Sequence, residues 1–435
     1  MKLSNDNFYT IRMSSNDLWN ITYNQNLGII YRQCVNRKWS NLFVLQKDCN
    51  KSFVTILLPK NKLCLIYQNK DGNIVLSIYS NGQWEHKEIL KWKGNKIKKA
   101  KLKALYSKNK IHIFYSLNLI SDSSEIVFYQ TIDLNLNISK PISIDDTIFS
   151  SENPFDISVL DNGSLVILYE KYNNSYELGY KIFNYTNNKW SDFYTIDTNN
   201  ESHNYFSLCC NNNTIHCLYV KNSSSENVLV HCSGLFLDLN YITIFKSTNN
   251  ISMPCFFKFK DTIWDIWISN KTIYTCYSNN NGLNIGQIRQ EKLPKSLLKS
   301  YYLSFEDKYN LAFNNSLYVT PDNGLSFFPK TLYDLLKNNN YYPKNSDSMS
   351  KDIKNYIDNV QTKISDYKKE LSHKDKIINK LNNMLKEEKN KLSMYITKLN
   401  NIENNYSSLK SKYDILIDEK LKLEAYKSNI NNSKK

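Results

Sequence analysis

The sequence is poor in arginine and has no long apolar run. Only 4 of its 56 basic residues are arginine, so the formal net charge of +15 comes almost entirely from lysine. No apolar stretch reaches the length of a membrane-spanning helix, and the amino-terminal residues lack the apolar segment of a secretory signal. The sequence therefore predicts a cytoplasmic protein without a membrane span, and leaves open assembly on the surface of a spore or virion.

Sequence signatures of the common enzyme classes are also absent. HExxH, GxSxG, P-loop and GxGxxG patterns do not occur. Two acids that fall in predicted strands, Glu170 and Asp265, are candidates for a glycosidase carboxylate pair. Isolated acids in strands more often face solvent or cap turns, so we expect a protein without catalytic residues and without a cofactor.

The nine cysteines do not form a disulfide framework. Their number is odd, their spacing is not periodic, and most fall inside predicted strands, which indicates buried reduced thiols. One cluster combines cysteine with histidine: Cys209, Cys210, His216, Cys217, His231 and Cys232. Its spacing matches no zinc signature, and adjacent His and Cys side chains point to opposite faces of a strand. We therefore predict no metal site.

A heptad pattern occupies the carboxy-terminal part of the chain. Apolar residues recur at alternating steps of three and four, without proline or glycine between them, as a coiled coil requires. The apolar seam consists of Ile357, Val360, Ile364, Leu371, Ile378, Leu381, Leu385, Leu392, Leu399, Ile402, Leu409, Leu416 and Leu423, with tyrosines at four further positions. Three seam positions carry a charge instead: Lys374, Glu388 and Lys420.

Such a seam cannot be buried by its own helix, so it requires a partner of similar length. The rod would be roughly 100 Å long, and no second segment of that length occurs in the chain. The partner is another copy of the chain or a different coiled-coil protein. We expect a homo-oligomer and prefer a parallel dimer, with a trimer as the alternative.

The rest of the chain is repetitive, with a period of about 48 residues. Six segments share one apolar pattern: residues 17–23, 62–68, 110–116, 164–170, 214–220 and 262–268. Several are followed by an aromatic strand, a polar turn and a tryptophan, at Trp39, Trp84 and Trp190. Each unit can be divided into four short strands, such as 52–58, 62–68, 73–80 and 84–90. Four antiparallel strands per unit is the repeat of a β-propeller blade.

The predicted fold is therefore an all-β propeller followed by a long α-helical coiled coil. Six blades begin near Asn7, Lys51, Ala100, Asn153, His203 and Ile251. Residues 291–335 form either a partial seventh blade or a closing hairpin, with a strand at 301–305 and a more helical stretch at 292–299. The predicted domains are a head at 1–335, a linker at 336–350, a stalk at 351–427 and a disordered tail at 428–435.

The hairpin near residue 320 carries a motif seen in a known family. Thr320, Asp322, Gly324, Ser326 and Phe327 have the spacing of an Asp-box, and this turn resembles those of sialidase-type and related lectin-like propellers. The resemblance implies a structural turn away from any catalytic face. It also implies, for a sialidase, three converging arginines. These arginines must come from different blades. The chain has only four, and Arg12, Arg32 and Arg37 all belong to the first blade, so the triad cannot readily be assembled with Arg289.

The lysine excess is densest in one segment between the second and third blades. This basic patch consists of Lys91, Lys93, Lys96, Lys98, Lys99, Lys101 and Lys103. A solvated connector explains it better than nucleic-acid binding, because the lysine bias runs through the whole chain.

These observations predict a non-enzymatic head that recognises a glycan or a protein and is multimerised by a stalk. Exposed aromatic side chains would carry sugar stacking. The candidates are Trp19, Trp39, Trp84, Trp190 and Trp264, although their repeated positions also suit packing between blades. The alternatives are a glycan-active hydrolase or lyase, and an intracellular scaffold that pairs with another coiled-coil protein.

Overall fold

The computed structural model describes most of the head and nearly all of the stalk. The described residues are 4–13, 17–36, 38–60, 62–80, 82–94, 98–121, 124–148, 154–203, 205–223, 225–236, 238–259, 262–294, 297–304, 315–320, 326–328 and 349–432. The chain divides into two compact units, residues 1–341 and 342–435.

The first unit is a β-propeller of six sheets, which confirms the predicted fold class. We number the blades in chain order and the strands β1 to β29. Blade 1 contains β1 (Ser4–Arg12), β2 (Leu18–Asn24), β3 (Gly28–Val35), β4 (Lys38–Trp39) and β5 (Phe43–Gln46). Blade 2 contains β6 (Cys49–Leu58), β7 (Lys62–Asn69), β8 (Ile74–Ser80) and β9 (Gln83–Leu90). Blade 3 contains β10 (Lys101–Ser107), β11 (Lys110–Ser121), β12 (Ser124–Asp133) and β13 (Ile142–Ile148).

The remaining three blades repeat this order. Blade 4 contains β14 (Phe155–Val159), β15 (Leu165–Tyr172), β16 (Tyr176–Asn184), β17 (Lys189–Trp190) and β18 (Tyr194–Asn199). Blade 5 contains β19 (Phe206–Asn211), β20 (Thr214–Asn222), β21 (Asn227–Leu235) and β22 (Asp238–Ser247). Blade 6 contains β23 (Ile251–Phe259), β24 (Thr262–Ser269), β25 (Thr272–Ser278) and β26 (Arg289–Lys292).

Two-residue turns join many of the strands. At 108–109, 212–213 and 270–271 both turn residues have a positive φ, and all six of these residues are asparagine or lysine rather than glycine, with Asn in every turn. Two consecutive positive φ angles define the tight hairpin turn whose twist matches that of the flanking strands, and asparagine tolerates this conformation better than most residues. The asparagine-rich turns thus allow compact blades in a chain with few glycines.

The core lies between blades rather than within them. The second strand of several blades is buried along nearly its whole length, as in β7, β15 and β24. A strand that is covered on both faces loses the polar alternation of a half-exposed strand. One apolar cluster joins blades 1, 2 and 3, and others join blades 3 and 4, blades 4 and 5, and blades 5 and 6.

Three further strands close the ring. They are β27 (Leu298–Ser304), β28 (Asn315–Thr320) and β29 (Ser326–Phe328). β27 pairs in parallel with β1 and antiparallel with β28, so the closing strands belong to the sheet of blade 1. β28 also contacts β23 of blade 6. Within the described residues the final segment is therefore a closing hairpin joined to blade 1 rather than a separate blade.

The helical tendency expected at 292–299 is wrong at both ends of that stretch. Lys292 ends β26, and Leu298 begins β27. Ladder pairing with β25 and β1 decides the conformation here, because tertiary contacts override weak local propensity. Asp322 and Gly324 of the Asp-box motif lie outside the described residues.

The described part of the second unit is one helix, α1 (Met349–Asn432), of 84 residues. It is about 125 Å long at 1.5 Å per residue. No helix in the described part of the chain is long and apolar enough to cross a membrane. The seam side chains of α1 from Ile378 to Leu423 are more than half exposed in the single chain.

Packing between blades predicts which aromatic residues the head cannot lose. Trp267 is fully buried, and its ring contacts Phe245 of blade 5 and stacks on Tyr274 of its own blade. Trp267→Ala should lower the free energy of unfolding by about 3 to 5 kcal/mol in denaturant titrations, because it opens a cavity between two blades. The exposed Tyr172 is the control: Tyr172→Ala should change it by about 0.5 kcal/mol or less. Equal effects would contradict this account of the core.

Candidate functional site

Trp84 closes the outer gap between blades 1 and 2. It lies in β9 at the end of the aromatic hairpin, 5.2 Å from the Tyr79 ring and 6.1 Å from the Tyr31 ring of blade 1. Tyr31 in turn stacks on Trp19, which is only 5% exposed. Both tryptophans therefore belong to an aromatic layer between two blades.

Trp190 has the equivalent position between blades 3 and 4. Its ring lies 5.2 Å from Phe183 of blade 4 and 5.4 Å from Tyr129 of blade 3. Trp264 is buried in blade 6, 4.9 Å from the Tyr277 ring. The contacts of these side chains are those of packing residues.

Trp39 differs from the other four candidates. By hairpin position it matches Trp84 and Trp190, but the ring contact described for it is the guanidinium of Arg32, 4.4 Å from the ring centroid. A planar cation over an indole face is attracted by the negative charge of the π system. Trp39 is half-buried, and within the described residues no aromatic ring of its own or another blade is found against it.

Strand register shows which way Trp39 faces. Trp39 pairs with Cys34, and Cys34 lies on the same side of β3 as Arg32 and Ile30 because side chains alternate along a strand. Ile30 pairs with Thr22 of β2, and Thr22 pairs with Phe8 of β1, so these three side chains lie on the same face of the sheet. Phe8 belongs to the apolar cluster of blade 6. Trp39 and Arg32 thus lie at the outer end of the face that blade 1 turns towards blade 6.

The neighbouring outer strand adds exposed apolar groups. Val44 pairs with Ile30 and so shares the Trp39 face, and it is 49% exposed. We call the surface formed by Arg32, Trp39 and Val44 the blade 1 rim. It combines an aromatic face, a planar donor group and an apolar side chain at the place where the ring of blades closes.

The basic patch does not form one continuous surface. Lys91, Lys93 and Lys99 are exposed, Lys98 is half-buried, and Lys96 lies outside the described residues. Lys101 and Lys103 project from the inner strand of blade 3 and are paired, with Glu125 and Asp156 respectively, each at 2.5 Å. Asp156 also accepts a hydrogen bond from the Leu208 N–H, so one carboxylate joins the inner strands of blades 3, 4 and 5.

The two acids considered as a glycosidase pair are both engaged inside the head. Glu170 is buried and accepts hydrogen bonds from the His203 N–H at 2.7 Å and the Ser202 hydroxyl at 2.6 Å, and it lies 2.5 Å from His203 Nδ1. Asp265 is fully buried, 2.8 Å from His231 Nδ1. Neither carboxylate faces a surface where a substrate could reach it.

His203 is held between two carboxylates. Its Nε2 lies 3.0 Å from Asp197, on the side opposite Glu170. Burial disfavours the charged imidazolium, but hydrogen bonds to Asp197 and Glu170 outweigh this effect and raise the pKa of His203 above its usual value. Lys221 also pairs with Asp197 at 2.9 Å. This cluster connects the end of blade 4 to the start of blade 5.

The histidines of the cysteine-rich unit form a second buried cluster with the opposite behaviour. His216 Nδ1 lies 3.0 Å from His231 Nε2, and His216 Nε2 lies 3.1 Å from the Asn281 side chain. Burial, together with the charge of His231, lowers the pKa of His216 to about 3. Among the described residues no group of three His, Cys, Asp or Glu side chains could hold a metal ion.

The fold defines the class of protein: a six-bladed propeller with a long carboxy-terminal helix. No family model matches the chain, and no curated protein matches its sequence. Among solved structures it is similar to a family PL25 polysaccharide lyase, an ulvan lyase bound to a GlcA and Rha3S fragment. That structure is 10% identical, covers 68% of this chain and 80% of its own, and has a TM-score of 0.46.

A lectin and one further protein are also similar. The Aleuria aurantia lectin in complex with Fucα1-6GlcNAc is 11% identical, with coverage of 63% of this chain and 94% of the lectin and a TM-score of 0.38. AofleA from Arthrobotrys oligospora is 13% identical, with coverage of 64% and 86% and a TM-score of 0.39. The similar structures thus include both lectins and lyases, and at this level of similarity they do not indicate what this chain binds.

The two histidine clusters predict opposite pH dependences. Because the pKa of His203 is raised in the folded state, protonated His203 stabilises the fold. This contribution to the free energy of unfolding is fully present below about pH 6.5 and is lost as the pH rises through the folded-state pKa. His203→Gln should therefore cost about 1.5 to 3 kcal/mol of unfolding free energy at pH 6 and less at pH 9, measured by denaturant titration.

His216→Gln is the matched comparison. Because the folded-state pKa of His216 is lowered, the wild-type protein loses stability as the pH falls from about 6.5 towards 3. The cost of His216→Gln should accordingly be larger at pH 8 than at pH 5. If both substitutions cost the same at every pH, neither imidazole has the charge state assigned to it.

Proposed function

We propose that this protein is a non-enzymatic glycan-binding protein, in which the blade 1 rim binds the sugar and α1 joins two or more heads. The observation that carries the proposal is the position of Trp39. It matches the packed tryptophans of blades 2 and 4 but has a guanidinium, rather than rings of two blades, against its face.

The chemistry of the rim suits a sugar. An indole face stacks on the C–H face of a pyranose, and the Trp N–H and Arg donors can bond to its hydroxyl or carboxylate oxygens. Arg32 is already held against Trp39, with its guanidinium 4.4 Å from the ring centroid, and this contact reduces the conformational entropy that is lost on binding. Val44 supplies an adjacent apolar contact.

The stalk supplies multivalency. From Ile378 to Leu423 the seam of α1 is exposed in the single chain, and a stripe of this length is stable in water only when another helix covers it. Joining two weak sites raises their combined affinity by roughly 10² to 10⁴ when both can be occupied together. A shallow rim with one aromatic residue is the kind of site that needs this gain.

The enzymatic alternative has no comparable support, because Glu170 and Asp265 are buried in internal hydrogen bonds. Two alternatives remain outcomes of the tests. The glycan array distinguishes a sugar from a protein ligand at the rim, and light scattering distinguishes a second copy from a different coiled-coil partner for α1. The exposed Lys91, Lys93 and Lys99 would then be available to an acidic partner.

The first prediction concerns the rim. On an array of neutral and acidic oligosaccharides, the full chain should bind a defined glycan set, and Trp39→Ala should abolish that binding while changing the unfolding free energy by about 1 kcal/mol or less. Trp84→Ala is the matched control. It should lower stability by about 3 kcal/mol, because its ring packs between two blades, and leave glycan affinity at permissive temperature unchanged.

A conservative variant sharpens this test. Arg32→Lys keeps the charge but loses the planar group, so it should weaken binding about tenfold if stacking and paired donors matter. Undiminished glycan binding by Trp39→Ala would place the site elsewhere on the head. Absence of binding to any glycan would favour a protein ligand.

The second prediction concerns mass. Light scattering of the full chain at several concentrations should give a stable homo-oligomer, and a chain ending near residue 342 should give a monomer. A full chain that stays monomeric would show that α1 pairs with a different protein.

A further inference from the structure

The three charged residues in the seam of α1 restrict how two copies can pair. α1 is one continuous helix from Met349 to Asn432, so the positions of its seam residues along one stripe are fixed. Glu388 and Lys420 carry their charges in that stripe, and both side chains are exposed in the single chain. Whichever partner covers the stripe must also cover these two charges.

A parallel pair in register is unfavourable at these positions. It places each seam residue beside its own copy, so Lys374 faces lysine, Glu388 faces glutamate and Lys420 faces lysine. Like charges that are brought together out of water repel strongly, and no opposite charge in the seam compensates them.

An antiparallel pair centred on Asn404 satisfies both charges. In an antiparallel coiled coil each a position faces a d position of the partner. Glu388, a d position, and Lys420, an a position, lie equally far on either side of Asn404, so each Glu388 meets the partner's Lys420, twice per dimer. The seam between them pairs well. Its facing residues are Leu385 with Leu423, Leu392 with Leu416, Tyr395 with Tyr413, Leu399 with Leu409, and Ile402 with Tyr406.

Neighbouring charges extend this match. Within one helix Glu388 accepts a hydrogen bond from Lys391 at 2.8 Å, and Lys420 lies 3.9 Å from Glu424. The antiparallel register would bring these two pairs together as a cluster of four alternating charges. Such networks stabilise more than isolated surface pairs do.

A longer antiparallel overlap is less favourable. Shifting the helices until the whole of α1 is covered places Glu388 opposite Leu392 and Lys420 opposite Val360. Each charge is then covered without a partner, which is the costly arrangement for buried ions. In the register centred on Asn404, the seam residues before Ile378 lie beyond the overlap.

We propose that α1 forms an antiparallel homodimer centred on Asn404, in which Glu388 of each chain pairs with Lys420 of the other. This replaces the parallel dimer preferred from the heptad pattern, and it rests on the proposed function only in taking the partner to be a second copy. The amino-terminal ends of the two helices are then about 165 Å apart. The two heads are attached to opposite ends of the rod, so the dimer is suited to bridging two separate glycan-bearing surfaces.

Charge exchange tests the pairing in the full chain. Glu388→Lys and Lys420→Glu should each weaken self-association at least about a hundredfold, because each places like charges opposite one another twice. The double variant Glu388→Lys/Lys420→Glu should restore it to within about tenfold of the wild type. Lys386→Glu, on the outer face of the helix, is the control for net charge and should have little effect.

A parallel dimer gives a different pattern. In a parallel dimer, residues 388 and 420 each face their own copy, so like charges meet in the wild type, in both single variants and in the double variant. These four proteins would then associate about equally, and this result would overturn the proposal.

Disulfide trapping tests the register independently. Tyr395→Cys and Tyr413→Cys chains should form no cross-linked dimer alone, because each residue lies about 27 Å from its own copy in this register. An oxidised mixture of the two should cross-link, since the two positions face each other within disulfide reach. The wild-type chain under the same oxidant controls for its nine native cysteines.

The outcomes separate the two hypotheses. Cross-linking of Tyr395→Cys alone indicates a parallel dimer, and a dimer that cross-links in none of these mixtures has another register. Either result overturns the antiparallel pairing but leaves a homo-oligomer intact. A wild-type chain that is monomeric by light scattering contradicts self-association itself.

Discussion

Each blade of this propeller has two faces to bury and can bury neither alone. The second strands show this most clearly, since β7, β15 and β24 are covered on both sides by neighbouring blades. The apolar clusters accordingly join successive blades, and Trp84 and Trp190 extend that packing to the outer rim. A surface aromatic group becomes available for binding where this packing is incomplete. Trp39, at the closure of the ring, is the candidate that meets this condition.

Polar contacts inside the head follow the same boundaries between blades. Asp156 joins inner strands of three blades, and His203 joins blades 4 and 5 through Glu170 and Asp197. Because a buried charge without a partner is costly, these contacts also fix the relative position of the blades. The buried contacts of Glu170 and Asp265 have this structural role.

Periodicity made the architecture predictable. The second blade has strands at Cys49–Leu58, Lys62–Asn69, Ile74–Ser80 and Gln83–Leu90, close to the predicted bounds, because turns and apolar strands recur in register along the chain. The parallel pairing of β27 with β1 was not predictable, since nothing in either segment marks a partner 290 residues away. The five candidate tryptophans look alike in sequence. Their separation into packed and rim residues depends on which blade lies opposite each one.

Ring closure also determines when the head can be completed during synthesis. β1 leaves the ribosome before its parallel partner β27, which follows some 290 residues later, as the Thr10 to Ser300 hydrogen bond illustrates. At 5 to 20 residues per second this delay is about 15 to 60 s. Throughout that interval the inner edge of β1 presents unpaired backbone groups, which are a template for pairing with other nascent chains. Crowded polysomes of this message are therefore where misassembly between copies is most favoured, before any stalk helix has been made.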